Sequence, residues 1–126
     1  MNDASFDSKS DKLIREVHPK LRGLMNEAIR RSGVRFIITE GLRTKKRQLE
    51  LLAQGKSLTQ NSRHLTGHAV DVAILHNNKV TWEFKYYKAL ASCIKSIASE
   101  MKIDIVWGGD WENIRDGVHF ELKRSD

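Results

Sequence analysis

SRHLTGHAVDVAI, residues 62–74, brings His64, His68 and Asp71 together at spacings of four and three. On a helix that spacing stacks all three side chains on one face. The helical reading fails on local grounds. Gly67 is a poor helix residue, and Val70, Val72 and Ile74 alternate with period two. The stretch therefore predicts a strand, HAVDVAIL (68–75), entered from a glycine-containing turn. In a strand Asp71 faces away from Val70 and Val72 and shares its side with Ala69 and Ala73, small neighbours that leave space around a carboxylate. His64 lies before the turn and can fold back toward that side. His68 is one position out of phase and points the other way. His64 and Asp71 are the better pair, and His68 stands apart from them.

Outward from this strand the chain divides without repeats or linkers. Residues 1–9 read as a loose tail, and residues 10–126 as one domain. Ser10, with Asp11 behind it, predicts the N-cap of a first helical region. Val17, Leu21, Leu24, Met25, Ala28 and Ile29 recur at helical spacing, Pro19 marks the start of the main helix, and Gly33 ends it. VRFIIT (34–39) predicts a strand. GLRT then turns into a helix, KKRQLELLAQG (45–55), closed by Gly55. KSLTQNSR (56–63) is a polar loop and HNNK (76–79) a turn. A long amphipathic helix covers Phe84 to Met101. IDIVWGG (103–109) and GVHFEL (117–122) are the last two strands, joined by a loop carrying Asp110 and Trp111. The pattern predicts an α+β fold, with helices packed on a small, mainly antiparallel sheet. Strand order is not readable from the pattern.

Composition bounds the function. The chain has 126 residues, of which 40% are hydrophobic and 30% charged. No apolar run approaches the about 20 residues needed to span a bilayer, so membrane insertion is not expected. The start, MNDASFDSKSDK, lacks the apolar centre of an export signal. Cys93 is the lone cysteine and is expected to pack as a small buried apolar group. A net charge of +6 favours polyanionic partners, with basic runs at 29–35 (IRRSGVR), 43–47 (RTKKR) and 122–124 (LKR). No zinc-finger, RNP or Gly-rich phosphate signature accompanies them, so the expected partner is an anionic bacterial envelope and not nucleic acid. Solvated helix faces account for each run taken singly.

His64 and Asp71 alone do not hold a catalytic zinc, which takes three protein ligands and keeps a position open for water. His18, His76 and His119 are the candidates for the third. His18 precedes Pro19 at a helix start and His76 sits in a polar turn, positions that suit solvent-exposed histidines. His119 lies in an apolar strand and projects away from Val118 and Phe120, with Asp116 three residues ahead as a carboxylate suited to general base work; taken alone it reads more readily as a satisfied half-buried histidine than as a ligand.

SRHLTGHAVD resembles the Ser-x-His-x-x-Gly-x-Ala-x-Asp motif of zinc peptidases that include D-alanyl-D-alanine carboxypeptidases and dipeptidases. WGGDWENIRDGVHFEL (107–122) is similar to the second half of that signature, in the variant carried by bacteriophage L-alanyl-D-glutamate endopeptidases, which are endolysins. EGLRTKKRQLELLAQGKS (40–57) resembles the segment that places the family's arginine. The resemblance covers roughly residues 34–122 in order. It implies His64, Asp71 and His119 as ligands of one zinc ion, Asp116 as the acid/base, and Arg43 as a substrate-binding or transition-state arginine. Ser62 matches the first motif position, where a hydroxyl can orient the loop, and His68 falls at a variable one. Many relatives in the wider group carry Glu where this chain has Asp116, and the shorter side chain agrees with the endolysin branch.

Zinc held by two imidazoles and a carboxylate acidifies a water to a pKa of about 7. Asp116 would accept its proton and pass it to the departing amine, while Arg43 would stabilise the oxyanion. Trp107 and Trp111 either wall the cleft or belong to the core. The substrate that the resemblance implies is the peptidoglycan stem peptide, cut between L-alanine and D-glutamate by a monomer. That activity would serve host lysis: the enzyme would accumulate in the host cytoplasm and reach the wall after a holin permeabilises the membrane. The competing readings are a D-alanyl-D-alanine carboxypeptidase or dipeptidase and, from another class, a non-catalytic zinc module or basic nucleic-acid-binding domain.

Overall fold

The computed structural model describes residues 5–56, 62–112 and 115–124. Helices α1 (Ser8–Ile14) and α2 (Pro19–Arg31) lead into strand β1 (Phe36–Glu40) and helix α3 (Lys45–Ala53). Strands β2 (Ala69–His76) and β3 (Lys79–Thr81), helix α4 (Phe84–Met101), and strands β4 (Ile105–Trp107) and β5 (His119–Leu122) follow. Single 3₁₀ turns occupy Arg63–Thr66 and Gly108–Asp110. The fold is α+β, and the strand order that the sequence withheld is β1-β2-β5-β4, antiparallel throughout. Strand β3 pairs the second half of β2 on the edge whose first half pairs β5.

The period-two alternation of β2 decides which side of the sheet is oily. Val70 pairs with Phe120, Val72 with Ile38, and Ile74 with Phe36. These residues are all buried in one core with Leu21, Leu24 and Met25 of α2 and Leu90, Ile94 and Ile97 of α4. Full burial of such a side chain contributes about 1.5–3 kcal/mol. A register slip of one residue would turn the whole set to the other face, so the register is strongly specified. The opposite phase carries Asp71 across from His119, with Glu40 on its other flank and Glu121 across from Ala69. One alternation thus builds a core and a polar row.

The N-terminal reading is corrected. Asp7, not Ser10, caps α1, accepting the Ser10 N–H at 2.8 Å. Regular structure therefore begins at Ser8, inside the stretch expected to be a loose tail. Ser10 is buried in α1, and its hydroxyl accepts the Ile38 N–H at 2.9 Å, tying the helix to β1. Pro19 does open α2, behind His18 as N-cap. Strand β1 starts two residues later than Val34 because the Ser32 hydroxyl accepts the Val34 N–H (3.1 Å) and holds it in a turn. The turn at Asn77–Asn78, both with positive φ, closes a β2–β3 hairpin. The three-residue β3 is too short to leave a periodic signal. Residues 57–61, most of the expected polar loop, lie outside the described residues. Cys93 is half-buried on α4 rather than fully buried. Among the described residues no helix is long and apolar enough to cross a membrane.

Candidate metal centre

His64 is placed by a turn. Ser62 caps the turn by accepting the His64 N–H at 3.2 Å. Gly67 ends it at φ +72°, and a Cβ there would sit 3.3 Å from the Glu16 carbonyl oxygen. Glycine meets both the left-handed backbone and the close approach without strain. The His64 carbonyl accepts the Arg43 N–H (2.9 Å), and the Gly67 carbonyl accepts the His18 N–H (2.8 Å). The turn is therefore stitched to the segment after β1 and to the start of α2.

Asp71 and His119 face each other across the β2–β5 ladder, and the His64 ring completes a trio. His64 Nε2 lies 3.2 Å from Asp71 Oδ1, and His119 Nδ1 lies 3.1 Å from the same oxygen. All three atoms fall within 4.8 Å of one another. The other ring nitrogens are already committed. His64 Nδ1 is 2.9 Å from the Gly41 carbonyl oxygen, which can only accept, so Nδ1 carries a proton and donates. His119 Nε2 is 2.8 Å from Glu121 Oε1 and donates to it. In the neutral rings, the atoms that converge are then two bare imidazole lone pairs and a carboxylate oxygen. Three acceptors at such distances need a cation between them. The trio can hold a metal ion.

The electrostatics agree. Burial pushes the Asp71 carboxyl up, but hydrogen bonds from His119 and His64 outweigh it and hold the group well below the usual carboxylate range. Burial alone would lower His119, yet its bonds to Asp71 and Glu121 raise it to about 9. Without a metal, a proton fills the place of the cation.

Asp116 is brought beside this trio by the loop between β4 and β5. Its N–H donates to the Gly108 carbonyl (3.0 Å), and its own carbonyl accepts the His119 N–H (3.1 Å). Any side chain at 108 would be driven into the loop, since a Cβ would lie 2.4 Å from the Asp116 carbonyl oxygen. Burial raises the Asp116 carboxyl and the charge of Asp71 adds to the effect, against smaller opposing pulls from His119, His64 and Arg43. A half-buried carboxyl held above its ordinary range is suited to carrying a proton both ways.

Arg43 is fixed from three sides. One terminal nitrogen donates to Gln48 Oε1 at 2.6 Å and to the Ser62 hydroxyl at 3.4 Å, and the other pairs with Glu40. Gln48 is fully buried. Burial lowers the Arg43 pKa, while the attraction of Asp71 and of Asp116 raises it, which places the guanidinium within electrostatic reach of both carboxylates. Its Nε is buried and has no hydrogen-bond partner among the described residues.

Other residues singled out by the sequence fall elsewhere. The Trp111 ring lies 5.2 Å from that of His119 and is partly exposed, at the rim of the site. Trp107 is not a cleft wall. It pairs with Phe120 in the core phase of the sheet, stacks on Phe84 and donates to the Gly117 carbonyl (2.8 Å). His68 points away from the trio, against the ring of His18, which is itself half-buried as the cap of α2 rather than free in solvent. His76 is exposed and stacks on Tyr86. Glu121 and Glu40 were not singled out for their places beside His119 and Arg43. The signal for Glu121 was present, because His-x-Glu in a strand puts both side chains on one face.

Comparison with known proteins gives a consistent set. The sequence model of the family described as phage L-alanyl-D-glutamate peptidase matches residues 3–125. The L-alanyl-D-glutamate peptidase of Escherichia phage T5 is 30% identical over 124 residues, covering 95% of this chain and 90% of that protein. The peptidoglycan L-alanyl-D-glutamate endopeptidase CwlK of Bacillus subtilis is 26% identical over 123 residues, covering 85% of this chain and 74% of that protein. Among solved structures, the L-Ala D-Glu endopeptidase ChiX of Serratia marcescens matches with a TM-score of 0.89 at 42% identity. The match covers 97% of this chain and 92% of that one.

Proposed function

Because the chain belongs to the phage L-alanyl-D-glutamate peptidase family, we propose that it is a zinc peptidase that cuts the amide between L-alanine and D-glutamate in peptidoglycan stem peptides. The observation that carries this reading is the convergence of one ring nitrogen each from His64 and His119 on Asp71 Oδ1, with the other ring nitrogens turned to the Gly41 carbonyl and Glu121. Zinc suits the donor set. Imidazole nitrogen and carboxylate oxygen are both ligands that zinc takes, and the three ligand atoms lie within 4.8 Å of one another. When bound, zinc supplies an acidified water and a Lewis acid for the amide carbonyl.

The chain's own residues do the rest. Asp116 takes a proton from the water that attacks the L-alanyl carbonyl carbon. It then returns that proton to the D-glutamyl nitrogen as the C–N bond breaks, leaving a carboxylate and a free amine. A carboxyl held above its usual range can serve in both directions. Arg43, immobilised by Glu40, Gln48 and Ser62, contributes a positive charge that needs no reorganisation as negative charge grows on the carbonyl oxygen. Glu121 orients the His119 ring by accepting its Nε2 proton, and Ser62 holds both the His64 turn and Arg43. Trp111 lines the approach.

As an endolysin, the enzyme works as a monomer on the wall from the cytoplasmic side and is released by a separate membrane-permeabilising protein. Expression without that partner should leave cells intact, and spontaneous lysis would refute the release route. Mass spectrometry of purified peptidoglycan after digestion tests the activity itself. New L-alanine carboxyl termini and D-glutamate amino termini are the expected products. Release of terminal D-alanine alone would make it a carboxypeptidase instead.

A further inference from the structure

We propose that a cationic groove separate from the metal centre binds phosphate groups of an anionic envelope polymer and so holds the protein on its substrate. The groove lies where the start of α2, the end of β5 and the turn between α4 and β4 meet. Its cations are Lys20, Arg63, Lys102 and Lys123, joined by His18 and His68, and it shares no residue with the trio, Asp116 or Arg43. Asp104 is the one carboxylate in its lining.

The backbone that presents these side chains is fixed by hydrogen bonds between segments. His68 accepts the Leu122 N–H through its carbonyl (2.9 Å), and Asp104 accepts the Lys123 N–H in the same way (2.9 Å). Arg63 donates to the Leu122 carbonyl at 3.1 Å. Four chain segments are thus locked around a volume of about 360 Å³, much more than one small anion fills.

Charge pairing distinguishes the groove's lysines from four arginines of the basic runs at 29–35 and 43–47. Arg30 and Arg31 pair with Glu27 and Glu100, Arg47 pairs with Glu50, and Arg43 with Glu40. In the groove Arg63 keeps only a long contact to Glu121 (4.0 Å), and the ammonium groups of Lys20, Lys102 and Lys123 form no ion pair among the described residues. Three lysines around one concavity, with Asp104 as the one carboxylate beside them, leave an excess of positive charge that an entering anion offsets. Burial foremost, with smaller contributions from the charges of Arg63 and His18, holds His68 below its ordinary pKa. A phosphate-bearing chain answers this arrangement better than isolated carboxylates. Lysines bind phosphate as point charges, and repeated phosphates engage several of them along the groove.

The envelope as source rests on the wall-directed function proposed above, and the test separates the two ideas. Inorganic phosphate titrated into the zinc-loaded protein should shift backbone amide resonances at residues 18–20, 63, 68, 102–104 and 122–123. The triple variant Lys20→Glu, Lys102→Glu, Lys123→Glu should abolish those shifts. On purified walls that carry phosphate polymers, the triple variant should bind about tenfold more weakly or worse at low salt. Binding to the same walls stripped of phosphate with hydrofluoric acid, and hydrolysis of a soluble stem peptide, should not change. Shifts that are absent or scattered would overturn the proposal. So would undiminished wall binding by the variant, an equal loss on stripped walls, or tighter binding to duplex DNA than to phosphate-bearing walls. Binding is read without turnover, so an inactive protein that shows the expected pattern supports the groove while refuting the peptidase reading.

Discussion

Replacing Glu121 with alanine isolates one contact to the candidate metal centre from a residue outside the His64, Asp71 and His119 trio. His119 is 6% exposed, and its Nε2 proton goes to Glu121 Oε1 at 2.8 Å. Water has little access to replace that acceptor. The variant leaves a buried N–H unpaired and frees the ring to rotate or change tautomer, so Nδ1 no longer has a fixed aim at Asp71 Oδ1. Loss of a carboxylate that supports a ligating histidine lowers metal affinity by about 10–100-fold, or roughly 1.4–2.7 kcal/mol. Arg63 would lose a long contact to Glu121 (4.0 Å) but keep its bond to the Leu122 carbonyl, so the fold should survive. Competition of the metal-free protein against a chromophoric chelator measures the zinc affinity, with circular dichroism as the check on folding. Glu121→Gln keeps an acceptor oxygen and should fall between alanine and wild type. Zinc binding by the alanine variant within about twofold of wild type would refute the orienting role.

Other expectations follow from the same geometry. Asp116→Asn should fold and keep zinc while losing about 10²-fold or more in hydrolysis, the usual contribution of a positioned acid/base; near-wild-type turnover would move the proton to another group. Arg43→Lys keeps the charge but cannot satisfy Glu40, Gln48 and Ser62 together, so kcat/KM should fall about tenfold or more with little change in Tm. An unchanged kcat/KM would remove Arg43 from the mechanism. For the metal-free protein, the His119 pKa is raised from 6.5 to about 9, so its share of stability is full below about 6.5 and lost as pH rises through 9. Thermal melts in chelator should show Tm falling across that window, and a flat profile would mean that His119 is not held by Asp71 and Glu121.

What could be read from the sequence is what repeats locally. Period-two alternation in β2 assigned Asp71 to one side and His68 to the other, and the structure keeps them apart for that reason. Helical spacing and Pro19 located α2 because a ring at the first helical position fits the backbone there. Competition between neighbours was harder to read. Ser10 and Asp7 both make good caps, and what takes Ser10 out of contention is a long-range bond to Ile38 that no local pattern announces.

Trp107 and Arg43 show where such reading stops. Trp107 and Trp111 are four residues apart, and one packs in the core while the other stands at the rim. The sheet register makes the difference, since Trp107 pairs with Phe120 and inherits its phase, and pairing partners are not written in a single strand. Arg43 depends on contacts at sequence separations of 3, 5 and 19, to Glu40, Gln48 and Ser62. No periodicity links those positions. They meet because β1 delivers Glu40 to the polar face, the first turns of α3 bury Gln48, and the capped turn before Gly67 returns Ser62 to the same place. A cation so fastened cannot swing toward a substrate, so the catalytic role proposed for it has to come from charge already in position. The Arg43→Lys measurement therefore bears on preorganisation directly: a looser ammonium with the same charge should be slower, although His64, Asp71 and His119 are unchanged.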